Sequence, residues 1–157
     1  MKRQVQKRLG MTLLLAVLLT ACTSTSKQPE GFEVETETPS GVQIRPTPDT
    51  SKAALALLSK ARSAAKAGKL DVAESQLERA LRIEPRNAVL WHYMAKLRLY
   101  QGRLEQAAGL AAKSNSLDKG DRQLRADNWR IIAHARYQKG DRAGADAAQQ
   151  QVDKLTR

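Results

Sequence analysis

From about residue 52 to the C terminus, apolar residues recur three and four positions apart. That spacing places them on one face of an α-helix. Asp49, Thr50 and Ser51 offer N-cap groups before the first such stretch, and Asn87 offers one before a later stretch. Glycines follow several of the stretches. The pattern predicts an all-α region of six helices, near residues 52–67, 70–83, 87–101, 104–117, 123–139 and 142–155.

A period of 34 residues organises these helices. The phrase Gly68-Lys69-Leu70-Asp71-Val72-Ala73 returns as Gly102-Arg103-Leu104-Glu105-Gln106-Ala107, and a looser copy begins at Gly140. The third copy comes four residues late, after an insertion at 122–125. A period of this length in helix-forming sequence is typical of stacked helix-turn-helix repeats.

Equivalent positions of the three units share residue types that close packing requires. Small side chains let two helices approach each other, and a glycine ends the first helix of each unit in a turn that a side chain would obstruct. A large residue beside them fills the remaining space, so Trp91 and Trp129 are predicted to be core residues. The shared positions are Leu57, Trp91 and Trp129; Ala61, Ala95 and Ala133; Gly68, Gly102 and Gly140; and Ala73, Ala107 and Ala145.

These positions resemble the tetratricopeptide repeat. The resemblance implies an all-α fold of three helix-turn-helix repeats, at 54–87, 88–121 and 126–157, forming a short right-handed solenoid. One departure is at position 11, which is usually aromatic in the family and is Ala64, Arg98 and Arg136 here. The polar last helix is expected to serve as its own cap.

The N-terminal residues have the features of a secretory leader. Residues 1–8 are cationic, 9–19 form an apolar run too short to span a membrane, and Leu19-Thr20-Ala21-Cys22 follows. This phrase resembles the bacterial lipobox, which implies cleavage after residue 21 and lipid attached to Cys22. An ordinary signal peptide with a chance cysteine and an uncleaved anchor are the alternatives. Thr23 is not the aspartate that retains such proteins in the inner membrane, so the resemblance implies the periplasmic face of the outer membrane.

Residues 22–50 separate this leader from the repeat domain, which is assigned to 51–157. They are rich in Ser, Thr, Pro and Glu and lack sustained apolar periodicity, which predicts a disordered linker. We call this linker the tether. A short strand near 42–44 is the alternative for part of it.

The net charge is +11, and it is unevenly distributed. Residues 53–157 contain 20 basic and 11 acidic side chains, a balance of +9, whereas residues 23–52 are slightly acidic. A basic surface suits nucleic acid, anionic lipid or an acidic protein face. Because the leader predicts export, nucleic acid is excluded, and the expected partners are an envelope protein and, through the lipid anchor, a membrane.

In tetratricopeptide arrays the first helix of each unit lines a concave groove. The resemblance implies that this groove mixes cations with aromatic and imidazole groups, a composition suited to an extended segment carrying carboxylates. Solvated helix faces with no binding role are the alternative. The partner-binding candidates are Arg62, Lys66, His92, Lys96, Tyr100, Arg130, His134 and Tyr137.

Catalytic and metal-binding signatures are lacking in the sequence. His92 and His134 are its two histidines, and no cysteine or cluster of acids adjoins them to complete a zinc site. No nucleophile has a recognisable base, and no glycine-rich phosphate loop occurs. The sequence therefore predicts a binding module that is not an enzyme and needs no cofactor besides the lipid on Cys22.

The whole layout resembles the LpoP family of outer-membrane lipoproteins. The resemblance is carried by the lipobox, the tether and three phrases in the repeats: residues 81–87 (LRIEPRN), 90–95 (LWHYMA) and 128–133 (NWRIIA). It implies a protein that docks on the periplasmic domain of a bifunctional class A penicillin-binding protein and activates this peptidoglycan synthase. The alternative is a scaffold for peptidoglycan hydrolases or for a secretion, pilus or outer-membrane assembly complex.

Overall fold

The structure, a computed structural model, describes residue 46 and residues 49–157. The predicted leader, Cys22 and most of the tether lie outside the described residues. All six predicted helices are present, and each end lies within one residue of the predicted position. They are α1 (Lys52–Lys66), α2 (Leu70–Ile83), α3 (Ala88–Tyr100), α4 (Leu104–Leu117), α5 (Arg122–Gln138) and α6 (Arg142–Thr156). The helices form antiparallel pairs, α1 with α2, α3 with α4 and α5 with α6, as the repeat period predicts.

The repeated glycines form the turns within the pairs. Gly68, Gly102 and Gly140 have φ angles of 71°, 70° and 82°, in a region that residues other than glycine rarely adopt. The residue after each glycine donates its backbone N–H to a carbonyl five residues earlier. Lys69 N lies 2.9 Å from Ala64 O, and the equivalent bonds measure 2.8 and 3.0 Å. Each turn thereby satisfies a carbonyl at the end of its first helix.

The core lies between the helices of each pair and between neighbouring pairs. The alanines predicted to allow close approach are all buried: Ala61, Ala73, Ala95, Ala107, Ala133 and Ala145. One cluster joins α1, α2 and α3, and it includes Leu124 from α5. A second cluster joins α3, α4, α5 and α6. The second repeat therefore contributes to both clusters and holds the array together.

The insertion at 122–125 is one additional turn at the start of α5. Asp121 caps this turn by accepting a hydrogen bond from Leu124 N at 3.0 Å. Leu124 is 1% exposed. The Arg122 side chain reaches the C-terminal end of α6, where its guanidinium donates to Leu155 O at 3.0 Å. The extra turn therefore packs one residue into the first cluster and satisfies a carbonyl at the end of the last helix.

Arg98, at the position where the family usually has an aromatic residue, links the first two repeats. Its guanidinium donates to both carboxylate oxygens of Glu74 on α2, at 2.5 and 2.6 Å. Gln101 donates to the same carboxylate at 3.0 Å. Hydrogen bonds from Arg98 and then Gln101 lower the pKa of Glu74 to about 2. An ion pair thus replaces the aromatic contact expected there.

The start of α1 is tied to the connection between α2 and α3. Ser51 N donates to Glu84 Oε1 at 2.7 Å, and the Asn87 amide donates to Thr50 Oγ1 at 3.1 Å. Asn87 also caps α3 by accepting from Val89 N at 3.0 Å, as predicted. These bonds fix the point at which the tether joins the repeats. Among the residues described, no helix is both long and apolar enough to cross a membrane.

Candidate partner-binding groove

A cavity of about 370 Å³ opens between α1 and α3, with α2 beneath it. Four of the predicted partner-binding residues line it: Arg62, Lys66, Lys96 and Tyr100. In α1 and in α3 these residues are spaced four positions apart, so each pair lies on one helix face. We call this space the groove cavity. Its floor is apolar and includes Leu58, Leu77 and Leu97, all of which are buried.

The rim of the groove cavity is positively charged. It carries Arg62, Lys66 and Lys96, and none of the described residues that line the cavity is acidic. The Arg62 guanidinium lies 5.4 Å from the centroid of the Tyr93 ring, a cation–π contact that orients it. Tyr100 is 57% exposed at the rim. An apolar pocket surrounded by cations and an exposed aromatic ring is suited to an acidic segment that also presents an apolar side chain.

Three further predicted residues, Arg130, His134 and Tyr137, lie on α5 and do not line the groove cavity. Arg130 forms an ion pair with Asp127 one turn earlier. Burial raises the pKa of Asp127, although the charges of Arg130 and of Lys96 on α3 oppose the rise. Lys96 lines the groove cavity and is close enough to Asp127 of α5 for its charge to act on that carboxyl group. The surface therefore continues onto α5, where an acid partly neutralises its charge.

His134 and Tyr137 form the less polar part of this α5 surface. Burial lowers the pKa of His134, and the Gln138 amide donates to its Nε2 at 2.6 Å. His134 is therefore a neutral imidazole at neutral pH and adds no positive charge. Tyr137 is 44% exposed and offers a ring to a partner. These residues are suited to apolar and hydrogen-bonding contacts rather than to ion pairing.

The prediction that His92 faces the groove is wrong. His92 is 1% exposed, and its Nδ1 lies 2.9 Å from the Asn128 side-chain oxygen. The Asn128 amide in turn donates to Ser114 Oγ at 2.8 Å, and that hydroxyl donates to Ala88 O at 2.8 Å. Packing of α5 against α3 covers this face of the second repeat, so His92 belongs to a buried polar network that joins three helices.

The prediction that both tryptophans are core residues is only partly right, because each is partly exposed. Trp129 packs against the second cluster. Trp91 donates its indole N–H to Pro85 O at 2.8 Å and lines a second cavity of about 720 Å³ between α2, α3 and α4. This second cavity and Tyr93 were not predicted. The sequence feature that could have indicated this second cavity is Trp91, which occupies the large-residue position of the second repeat.

The part of the chain that the structure describes contains no group of three or more histidine, cysteine or acidic residues arranged to hold a metal ion. The two histidines also have different surroundings. His92 bonds to an asparagine inside the protein, whereas His134 bonds to a glutamine at the surface of the same helix. The chemistry that the groove offers is therefore that of charge, aromatic rings and apolar burial.

Comparison with known proteins supports the LpoP resemblance. The sequence matches no protein-family model and no curated protein. Among solved structures, the globular C-terminal domain of P. aeruginosa LpoP is similar with a TM-score of 0.64 and 38% sequence identity. That match covers 66% of this chain and 97% of the LpoP domain.

A second solved structure shows the same fold at lower sequence similarity. The N-terminal domain of the stress-induced protein STI-1 from C. elegans has a TM-score of 0.58 at 16% identity, covering 67% of this chain and 95% of that domain. At this identity the likeness concerns the fold alone. The two structures together confirm the prediction of a tetratricopeptide-type helical array.

Proposed function

Because the chain belongs to the LpoP family of tetratricopeptide-repeat proteins, we propose that it docks on a bifunctional class A penicillin-binding protein and activates peptidoglycan synthesis. Its repeat domain is a protein-interaction module of the LpoP type. The observation that carries the proposal is the groove cavity, which combines an apolar floor with a cationic rim in a domain 38% identical to LpoP. The module acts without catalytic chemistry or a cofactor of its own.

The proposed location follows from the lipobox. Cys22 carries the lipid, which anchors the protein to the periplasmic face of the outer membrane, and the tether of residues 22–50 lets the repeats reach a synthase held in the inner membrane. Activation is a population shift: the docked module binds the active conformation of the synthase more tightly than the inactive one. Replacing Cys22 with alanine is expected to release the protein from the outer-membrane fraction, which sedimentation of separated membranes measures.

The groove is tested with two charge reversals in the same helix. Lys66 lines the groove cavity, whereas Lys60 lies on α1 outside it and is exposed. Lys66→Glu is expected to weaken binding to the purified periplasmic part of the synthase by about tenfold or more, because it places an anion among the rim cations. Lys60→Glu makes the same change in net charge and is expected to have little effect.

Both variants are compared with the unaltered protein by measuring affinity, thermal stability, and glycan polymerisation and crosslinking by the synthase. Equal loss of affinity in both variants would mean that the overall charge matters and the groove does not. If the unaltered protein neither binds the synthase nor raises its activity, the proposed partner is wrong.

A further inference from the structure

One acidic stretch of the tether has no role in the function proposed above. Residues 30–37 read Glu-Gly-Phe-Glu-Val-Glu-Thr-Glu and contain four of the tether's acids. They also contain Phe32, the single phenylalanine of the chain. In an extended conformation Phe32 and Val34 would lie on one side and Glu33 and Glu35 on the other. We call residues 30–37 the acidic segment.

The groove cavity complements this segment in both charge and polarity. Its apolar floor can take an aromatic ring, and Arg62 and Lys66 stand on its rim where no acidic residue of the described chain lines the cavity. Acidic residues and an aromatic residue within one short stretch are the chemistry that the groove was inferred to recognise. The second cavity is a poorer match, because the residues that line it already include Glu78 beside its arginines.

The chain between the acidic segment and the repeats is long enough for the two to meet. Hydrogen bonds to Glu84 and Asn87 hold the end of the tether at the start of α1. From there to Lys66 is about 22 Å along the helix. The roughly 14 residues from Glu37 to Ser51 span up to about 45 Å when extended. The acidic segment can therefore reach the groove cavity without disturbing the bonds that fix the end of the tether.

We propose that the acidic segment binds in the groove cavity of its own chain and competes there with the partner. A segment joined by so short a linker has an effective concentration of about 1 mM, so even a contact of millimolar affinity would fill the groove in about half of the molecules. When the tether is stretched towards a distant partner, the segment is drawn out and the groove becomes available. This inference rests on the groove of the proposed function but does not depend on the identity of the partner.

The contact can be located with a spin label in the soluble chain of residues 22–157. Cys22 is changed to serine and Thr38, next to the acidic segment, is changed to cysteine and labelled with a nitroxide. We expect the label to broaden the backbone amide signals of groove residues such as Lys66 and Tyr100 and to spare residues of α6 such as Asp153, which is exposed and does not line the groove cavity. The broadening should disappear when Glu30, Glu33, Glu35 and Glu37 are all changed to glutamine. Absent or uniform broadening, or broadening around the second cavity, would overturn the proposal.

Competition is measured with a synthetic peptide of residues 29–39 as the probe. We expect it to bind the four-glutamine chain about two- to fivefold more tightly than the unaltered chain, because the groove is then free of its own segment. Lys66→Glu should abolish probe binding, and Lys60→Glu should leave it unchanged. Equal affinity for the unaltered and four-glutamine chains, or no binding to either, would also overturn the proposal. If the probe behaves as expected but the synthase does not bind, only the proposed partner is wrong.

Discussion

At the scale of single residues, the bridge between Arg98 and Glu74 shows how an unusual residue is accommodated. The Arg98 side chain is 12% exposed and that of Glu74 is 21% exposed, so water screens the pair only partly. Gln101 adds a third donor to the carboxylate. A largely buried pair joined by two hydrogen bonds contributes more than an ordinary surface ion pair, and removing one partner leaves the charge of the other uncompensated.

This bridge predicts a specific dependence of stability on pH. The pKa of Glu74 is about 2 in the folded protein, whereas it is 4.5 for a glutamate without these interactions, as in the unfolded chain. Because the folded pKa is the lower one, the stabilisation is complete above pH 4.5 and is lost as the pH falls towards 2. Glu74→Gln is therefore expected to lower the free energy of unfolding by about 1–3 kcal/mol at neutral pH and by progressively less below about pH 4. Urea denaturation of both proteins across this range measures the difference.

A matched control for this prediction is Glu105→Gln. Glu105 also pairs with a cation, Lys139, but its side chain is 74% exposed. Its replacement is expected to change the free energy of unfolding by less than about 1 kcal/mol at any pH. A difference between unaltered protein and Glu74→Gln that does not shrink in acid would contradict the role assigned to the bridge.

At the scale of helices and turns, the glycines of α4 and of the turn before it have opposite roles. Gly102 has a φ of 70°, and a Cβ atom placed on it would meet nothing within 4 Å. Any effect of adding that atom would therefore come from backbone strain. Gly109 also has open space around it, but it lies within α4 in ordinary helical geometry.

The two substitutions to alanine are expected to change stability in opposite directions. Gly102→Ala should lower the free energy of unfolding by about 1 kcal/mol, because it forces an L side chain into a left-handed conformation. Gly109→Ala should raise it by about 0.5–1 kcal/mol, because glycine is a poor helix former. Thermal and urea denaturation of the two variants measure both changes. A destabilising Gly109→Ala would mean that the surface of α4 is more crowded than the structure shows.

The helices were predictable because their signals are local. The signals are a glycine after the first helix of each repeat, N-cap residues before α1 and α3, and small residues at fixed positions. Each of them acts on residues only a few positions away. The structural role of the insertion at 122–125 could not be predicted from the sequence in the same way. A turn of helix was expected there, but the bond from Arg122 to Leu155 joins residues 33 positions apart. No local pattern indicates such a partner.

At the scale of the whole molecule, the candidate groove was predicted in part. Four of the eight predicted residues meet in the groove cavity because the repeat fixes which face of α1 and α3 is turned inward. His92 was assigned to the same surface, but α5 covers it, and the packing of one repeat on the next is not contained in the pattern of a single repeat. The bond between His92 and Asn128 spans 36 positions. Position within a repeat therefore predicted the face of a helix but not what covers that face.

The positive charge of the repeats predicts how salt should affect the rates at which a partner associates and dissociates. A balance of +9 over residues 53–157 attracts an acidic surface from a distance, and salt screens this attraction. Raising the ionic strength from about 50 to about 300 mM is expected to slow association with the proposed partner, the synthase, about tenfold and to change dissociation by less than about twofold. Tyr100→Ala removes an exposed ring at the groove rim and should do the reverse, speeding dissociation about tenfold with little effect on association. Surface plasmon resonance at several salt concentrations separates the two rates. If salt acted mainly on dissociation, the attraction would come from ion pairs at close contact in the groove, and the charge of the whole domain would have no steering role.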